Sequence, residues 1–249
     1  MSLKGKIVWI TGGGSGIGLA GAMALAGAGA HVVISGRTMA SNTSGLRQVQ
    51  TVGSAELLQI DVADRKDVER SAADILSRHG HIDILINSAG TNSGKRNWSN
   101  IEVVGWDEVV AINLSGLFYC CHAVLPAMRE QQDGLIINIS SWAGRYASTL
   151  TGPAYNATKR AVIALTESIN AEECIYGIRA TSILPGEVAT PILEKRPVPP
   201  SKEDRERMLQ AEDLGQTILY IASLPPHACV NELIISPTWN RFYVEGLKK

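Results

Sequence analysis

Thr11-Gly12-Gly13-Gly14-Ser15-Gly16-Ile17-Gly18 is the stretch on which the fold turns. It follows the apolar run at residues 6–10 and leads straight into an apolar helical segment at 16–28. A strand, a glycine turn and a helix N-terminus in that order make an anion site. Backbone N–H groups and the helix dipole converge there, and absent side chains let a phosphate approach. The spacing that matters is G-x-x-x-G-x-G, at Gly12, Gly16 and Gly18. A formal G-x-G-x-x-G at Gly16, Gly18 and Gly21 places its last glycine too deep in the helix. In this context the turn is expected to hold a nucleotide pyrophosphate.

Working outward, short apolar runs recur at 31–35, 55–60, 82–86, 135–140, 178–184 and 232–236. Segments of helical period lie between them at 64–79, 106–131, 153–176 and 211–223. Several of the runs are almost continuously apolar, as strands buried on both faces should be. The alternation predicts an α/β fold, a single Rossmann-type doubly wound parallel sheet of about seven strands with helices on both faces. Residues 1–249 then form one domain. The pattern does not decide 39–53. Residues 187–208, rich in proline and charge, interrupt the alternation and are expected to form a substrate lid.

Composition agrees with an ordinary globular protein. The chain has 249 residues, enough to bury a large core without a disulfide or metal staple. Lys and Arg number 23 against 24 Asp and Glu, so no general attraction to nucleic acid or anionic lipid is expected. The N-terminal apolar stretch is too short for a signal peptide or membrane span. Cys120, Cys121, Cys174 and Cys229 show no paired spacing and read as buried thiols of a reducing compartment. The expected location is the cytoplasm.

In dinucleotide folds an acid about 20 residues beyond the glycines holds the adenosine ribose hydroxyls. Here the second apolar run ends Ser35-Gly36-Arg37-Thr38, with no acid and with Arg37 at or next to that position. A guanidinium pairs with a 2′-phosphate and offers a free hydroxyl nothing comparable. NADP(H) is therefore expected over NAD(H), with NAD(H) still open.

Tyr155-Asn156-Ala157-Thr158-Lys159 opens a helical segment, with Tyr155 and Lys159 four residues apart on one face. A phenol of pKa near 10 is a poor base at neutral pH. A neighbouring lysine cation favours the phenolate and makes Tyr155 a credible general acid/base.

Thr11-Gly12-x-x-x-Gly16-x-Gly18, Asp61, Asn87-Ser88-Ala89-Gly90, Asn113, Ser141, Tyr155-x-x-x-Lys159 and Pro185-Gly186 stand in one order and spacing. With them the chain resembles the short-chain dehydrogenase/reductase family over nearly its whole length. One departure is Ser88, where the family usually has a second asparagine. The resemblance implies that Tyr155 moves the substrate proton, and that Lys159 lowers its pKa and binds the nicotinamide ribose. Ser141 would polarise the carbonyl, chosen over Ser140 because Gly144 follows at the family spacing. The distance to Tyr155 is then one residue long, so Ser140 stays open as the alternative. Asn113 would hold a water leading from Lys159 to solvent. Gly12, Ser15, Gly16, Ile17, Gly18, Arg37, Asp61, Val62, Asn87, Ala89, Gly90, Pro185, Gly186 and Thr190 would form the cofactor site. In that set Asp61 and Val62 face adenine, Asn87 pins the central strand and Thr190 reaches the carboxamide. For Asp61 an N-cap, and for Asn113 a surface amide, are the structural alternatives. Family relatives also imply a homotetramer, built on helical segments 106–131 and 153–176.

The function expected is an oxidoreductase that interconverts a carbonyl and an alcohol by hydride transfer. The alternative is a catalytically silent dinucleotide-binding regulator, which would not need Asn113, Ser141, Tyr155 and Lys159 together. The five histidines lack zinc-site spacing, so no metal is expected. No nucleophile elbow and no P-loop motif occurs. Lys95, Arg96, Arg145, Lys195 and Arg196 fall in the segments that line family pockets, and suggest a small carbonyl compound that carries a carboxylate.

Overall fold

The structure, a computed structural model, describes residues 2–244. Seven parallel strands form one sheet: β1 (Ile7–Thr11), β2 (His31–Gly36), β3 (Ser54–Gln59), β4 (Ile84–Asn87), β5 (Gly134–Ile139), β6 (Ile178–Pro185) and β7 (Glu232–Ile235). Their order is β3-β2-β1-β4-β5-β6-β7. The central strands are buried on both faces, with all five residues of β1 and all six of β5 inside. Edge strand β3 is only partly covered and carries Glu56 and Gln59.

Successive side chains of a strand point to opposite faces, which divides the core in two. Val8, Ile10 and Ile34 pack under α1 (Gly16–Gly27) and α9 (Ala211–Ala222), with Leu25 and Ile218. Trp9, Val33 and Leu85 face α3 (Arg65–His79), α5 (Gly116–Gln131) and α7 (Gly152–Glu173), with Val124 and Val162. Helix α1 is apolar all round because it is wedged between the sheet and α9. Helix α3 has one apolar stripe, Asp64 as its N-cap and Gly80 in a left-handed cap. β1 pairs with both β2 and β4, so the chain reverses direction across the sheet there. Clefts of α/β sheets open at such a point, beyond the strand C-termini.

Three differences from the sequence expectation have physical causes. Residues 39–53 contain α2 (Met39–Gln50), whose weak periodicity still buries Asn42, Gly45 and Val49. The expected helix at 106–131 starts earlier, as α4 (Val103–Val110), and a π-helical turn at Ala111–Ser115 divides it from α5. Inside that turn the Asn113 side chain grips the backbone of Thr91, through Oδ1 at 2.8 Å and Nδ2 at 2.9 Å. Single π turns of this kind are concentrated at functional sites. The thiols also divide: Cys120 and Cys121 are buried, with Cys121 pushed up to about 12 by burial, whereas Cys174 and Cys229 are exposed. Cys174 sits in a short helical turn that continues α7, and Cys229 precedes β7, so neither reaches a core layer.

The remaining short elements are α6 (Trp142–Arg145), α8 (Lys202–Glu206) and α10 (Arg241–Val244). Ser201 caps α8 in a reciprocal box with Asp204. Residues 187–208 are held by a bridge between Val188 and Leu209. Val103, Val104 and Phe118 stay exposed on α4 and α5.

Candidate active site

The cleft begins at the turn after β1. Gly12 has φ +67°, and a Cβ there would lie 2.9 Å from the Ala89 backbone. Gly16 has φ +54°, and its Cβ would press on Thr190 at 3.2 Å. Both positions need glycine, for conformation and for room. Thr11 ties this turn to the next strand, its Oγ1 accepting N–H bonds from Ser88 and Ala89 at 3.2 Å each. Ser15 is the N-cap of α1 and its side chain caps nothing, which leaves first-turn N–H groups to face an anion. Gly18 is buried against the Gly12 carbonyl and serves packing.

From there one cavity runs over Gly12, Gly14, Gly36, Arg37, Thr38, Ser41, Asn42, Ile60 and Val62 to Ala89 and Gly90. Among the described residues no carboxylate lines it, and Arg37 is its one cation. The Asn42 Nδ2 is buried there without a partner among the described residues, a donor available to a ligand oxygen. These donors fit the phosphorylated adenosine half of a dinucleotide. Asp61 stands outside the cavity lining, where its Oδ1 accepts the Ala63 N–H at 3.0 Å. Neither is it the cap of α3, which is Asp64. Asn87 is buried away from both cavities and donates to Asn138 Oδ1 at 2.9 Å, joining β4 to β5.

A second cavity, of about 260 Å³, adjoins the glycine turn. It is lined by Ile17, Gly90, Ser140, Ser141, Tyr155, Lys159, Pro185, Gly186 and Thr190, together with Arg96 and Arg196. The serine pair separates by hydrogen bonding. Ser140 Oγ is buried and donates to the Lys159 carbonyl at 2.7 Å, fastening β5 to α7. Ser141 caps α6, accepting the Ala143 N–H at 3.1 Å, and its hydroxyl faces that of Tyr155. Lys159 is 5% exposed, donates to the Ile139 carbonyl at 2.7 Å and lies 5.5 Å from the centre of the Tyr155 ring. Asn113, in the π turn between α4 and α5, is buried rather than a surface amide.

Burial acts on both titrating groups. It lowers the Lys159 ammonium to about 8. It also raises the Tyr155 phenol, against the pull of the Ser141 hydroxyl and the Arg196 and Arg96 cations. The sequence alone points to a tyrosine lowered by Lys159. In the free protein the net direction is upward, because removing the phenolate from water outweighs its neighbours. A hydroxyl so placed in the cavity lining can give up or take a proton at a bound oxygen.

The five candidate cations also separate. Lys95 pairs with Glu102 and Arg145 with Glu232, both outside the cavity lining. Lys195 donates to Thr91 Oγ1 at 2.8 Å. Arg196 pairs with Glu187 at 2.8 Å, and Arg96 pairs with no carboxylate among the described residues. Sequence reading overlooked Asn42, hidden in the undecided segment, and Leu150, Thr151 and Phe242, which reach the second cavity from loops without a motif.

Comparison with known proteins gives a consistent picture. A family model described as short chain dehydrogenase matches residues 6–199. An uncharacterised oxidoreductase of Staphylococcus epidermidis is 34% identical over 236 residues, covering 94% of this chain and 98% of the relative. Among solved structures, a metagenomic short-chain oxidoreductase in complex with NADP superposes with a TM-score of 0.83 at 27% identity, covering 96% of this chain and 99% of the other. The closed form of a serine dehydrogenase complexed with NADP+ gives 0.82 at 29% identity, with 93% and 94% covered.

Proposed function

Because the chain belongs to the short-chain dehydrogenase/reductase family, we propose that it interconverts a carbonyl and an alcohol with NADP(H). The observation that carries this reading is the half-buried Tyr155, with Ser141 at its hydroxyl and Lys159 5.5 Å from its ring centre, in the cleft that also holds the glycine turn. A bound nicotinamide supplies or accepts the hydride. Tyr155 gives its proton to the substrate oxygen in reduction and takes it back in oxidation. Ser141 holds that oxygen beside the tyrosine. Lys159 keeps a positive charge beneath the ring and aligns β5 with α7. Asn113 fixes the Thr91 backbone at the edge of the cavity, and residues 187–208 cover it as a lid.

Gly12, Ser15, Gly16 and the first turn of α1 would hold the pyrophosphate. Ala89, Gly90, Pro185, Gly186, Ile17 and Thr190 would enclose the nicotinamide half, and Val62 the adenine. Arg37 would take the 2′-phosphate. Among the described residues no carboxylate lines the cavity that holds Arg37, which supports NADP(H), as do the NADP complexes of two solved relatives.

The test is the rate of NADPH and NADH oxidation across a panel of aldehydes and ketones. Arg37→Ala is expected to weaken NADPH binding roughly tenfold or more while leaving NADH nearly unchanged. Equal losses for both cofactors would remove the 2′-phosphate role. The exposed Val103, Val104 and Phe118 support a homotetramer, with α4, α5 and α7 as contacts. Sedimentation at micromolar concentration should then give four subunits. A monomer would contradict that assembly.

A further inference from the structure

Arg96 is the one arginine of the substrate cavity with no acid to answer it among the described residues. It is 5% exposed and lines the cavity beside Ser141, Tyr155 and Leu150. Its Nη2 donates to the Lys195 carbonyl at 2.6 Å, and its Nε is buried with no partner. Arg196 is nearby, but Glu187 takes both Arg196 and Arg241 at 2.8 Å each. Two guanidiniums thus share the one carboxylate that lines the cavity among the described residues, and neither of its oxygens is paired with Arg96. A guanidinium stays charged at any ordinary pH, and a buried charge without a counter-ion is costly. Burial and the repulsion of Arg196 pull its pKa down, against the opposing effect of Tyr155.

The loop that carries Arg96 is anchored at several points. Asn113 grips Thr91 on both backbone groups, and Asn92 Nδ2 donates to the Thr151 carbonyl at 2.9 Å. Gly152, with φ +75°, lets the start of α7 lie against the Arg96 carbonyl, where a Cβ would come within 2.0 Å. The guanidinium is therefore held in place before any ligand arrives, which lowers the ordering cost of binding. The cavity that holds Arg37 does not include it, so the 2′-phosphate assigned to Arg37 is not its partner.

We propose that Arg96 is the specificity-determining residue of the cavity, and that the carbonyl or alcohol substrate carries a carboxylate received by its guanidinium. Planar carboxylates match a guanidinium in paired N–H···O bonds. In a cavity of about 260 Å³ shared with a nicotinamide ring, the substrate is a short-chain acid. This rests on the oxidoreductase reading above.

The experiment compares kcat/KM for short keto acids of graded length with their methyl esters, using NADPH. Wild type should prefer the acid at one length. In Arg96→Met the acid-to-ester ratio should fall on the order of 10- to 100-fold, whatever the absolute rates. Lys95→Met, whose cation belongs to Glu102, should keep the wild-type ratio. An unchanged ratio in Arg96→Met, with a shifted pH profile for the ester, would mean that Arg96 acts on Tyr155 instead and would overturn the proposal. Arg96→Lys guards against a folding defect, since it keeps the charge but loses the paired geometry and should give an intermediate ratio. If no carbonyl is turned over with either cofactor, the oxidoreductase reading fails and binding decides the subsite. Calorimetric titration with pentanoate should then show binding to wild type and none to Arg96→Met. No binding to wild type, or equal binding to both, would refute the anion subsite.

Discussion

Tyr155→Phe should lower turnover by roughly 10²- to 10⁴-fold, the range for losing a positioned general acid or base. That corresponds to about 3–5.5 kcal/mol of barrier. The change removes one hydroxyl and leaves the ring in place against Lys159, which lies 5.5 Å from its centre. Packing and the glycine turn are untouched, so NADPH affinity measured by fluorescence titration should stay close to wild type. A fall in kcat with intact cofactor binding separates a proton-transfer role from a structural one. Turnover like that of wild type would sink the assignment of Tyr155.

The second large effect is on stability against pH. Burial lowers the Lys159 ammonium from the ordinary lysine value to about 8. Below that value both folded and unfolded chains carry the proton, and the folded chain bears the whole cost of a buried charge. As the pH rises past about 8 the folded chain releases the proton first. The unfolded chain then binds more protons, and stability increases with pH. Above the ordinary lysine value both forms are neutral and the cost has gone. Wild type should therefore gain roughly 3 kcal/mol relative to Lys159→Met between about pH 8 and pH 10.5. Urea unfolding of both proteins in the Tyr155→Phe background removes the tyrosine titration from the comparison. A difference that stays flat over this range would mean that Lys159 is hydrated and titrates normally. At neutral pH the same charge works against stability and for the site, where a cation beneath the tyrosine is wanted.

The sheet was readable because its signal is local. Strands such as β1 and β5 are buried on both faces, so they must be apolar throughout, and a continuous apolar run cannot be mistaken for a solvent-facing segment. The glycine turn was readable for a related reason, since Gly12 and Gly16 occupy backbone conformations that other residues rarely adopt. Tyr155 and Lys159 could be paired because helical spacing alone puts them on one face of α7. Helix α2 escaped notice because its buried face includes Asn42 and Gly45 rather than an apolar stripe. With it went Asn42, whose free amide helps to line the nucleotide cleft.

Charge is where local reading stopped. Amino-acid order alone established a doubly wound parallel sheet, a nucleotide turn at Gly12–Gly18, an arginine in place of an acid after β2, and the tyrosine–lysine pair. It also supplied five cations that it could not rank, and two adjacent serines of which the family spacing favoured Ser141 with Ser140 still open. Only the tertiary structure ranked the cations and gave the serines different bonds, because both depend on partners distant in the chain. Ser140 is taken by the Lys159 carbonyl, which leaves Ser141 facing Tyr155. Lys95, Arg145 and Arg196 are taken by Glu102, Glu232 and Glu187, which leaves Arg96 unanswered in the cavity. The direction of the Tyr155 shift was decided in the same way, since desolvation is a property of the packed surroundings and of no residue pair along the chain.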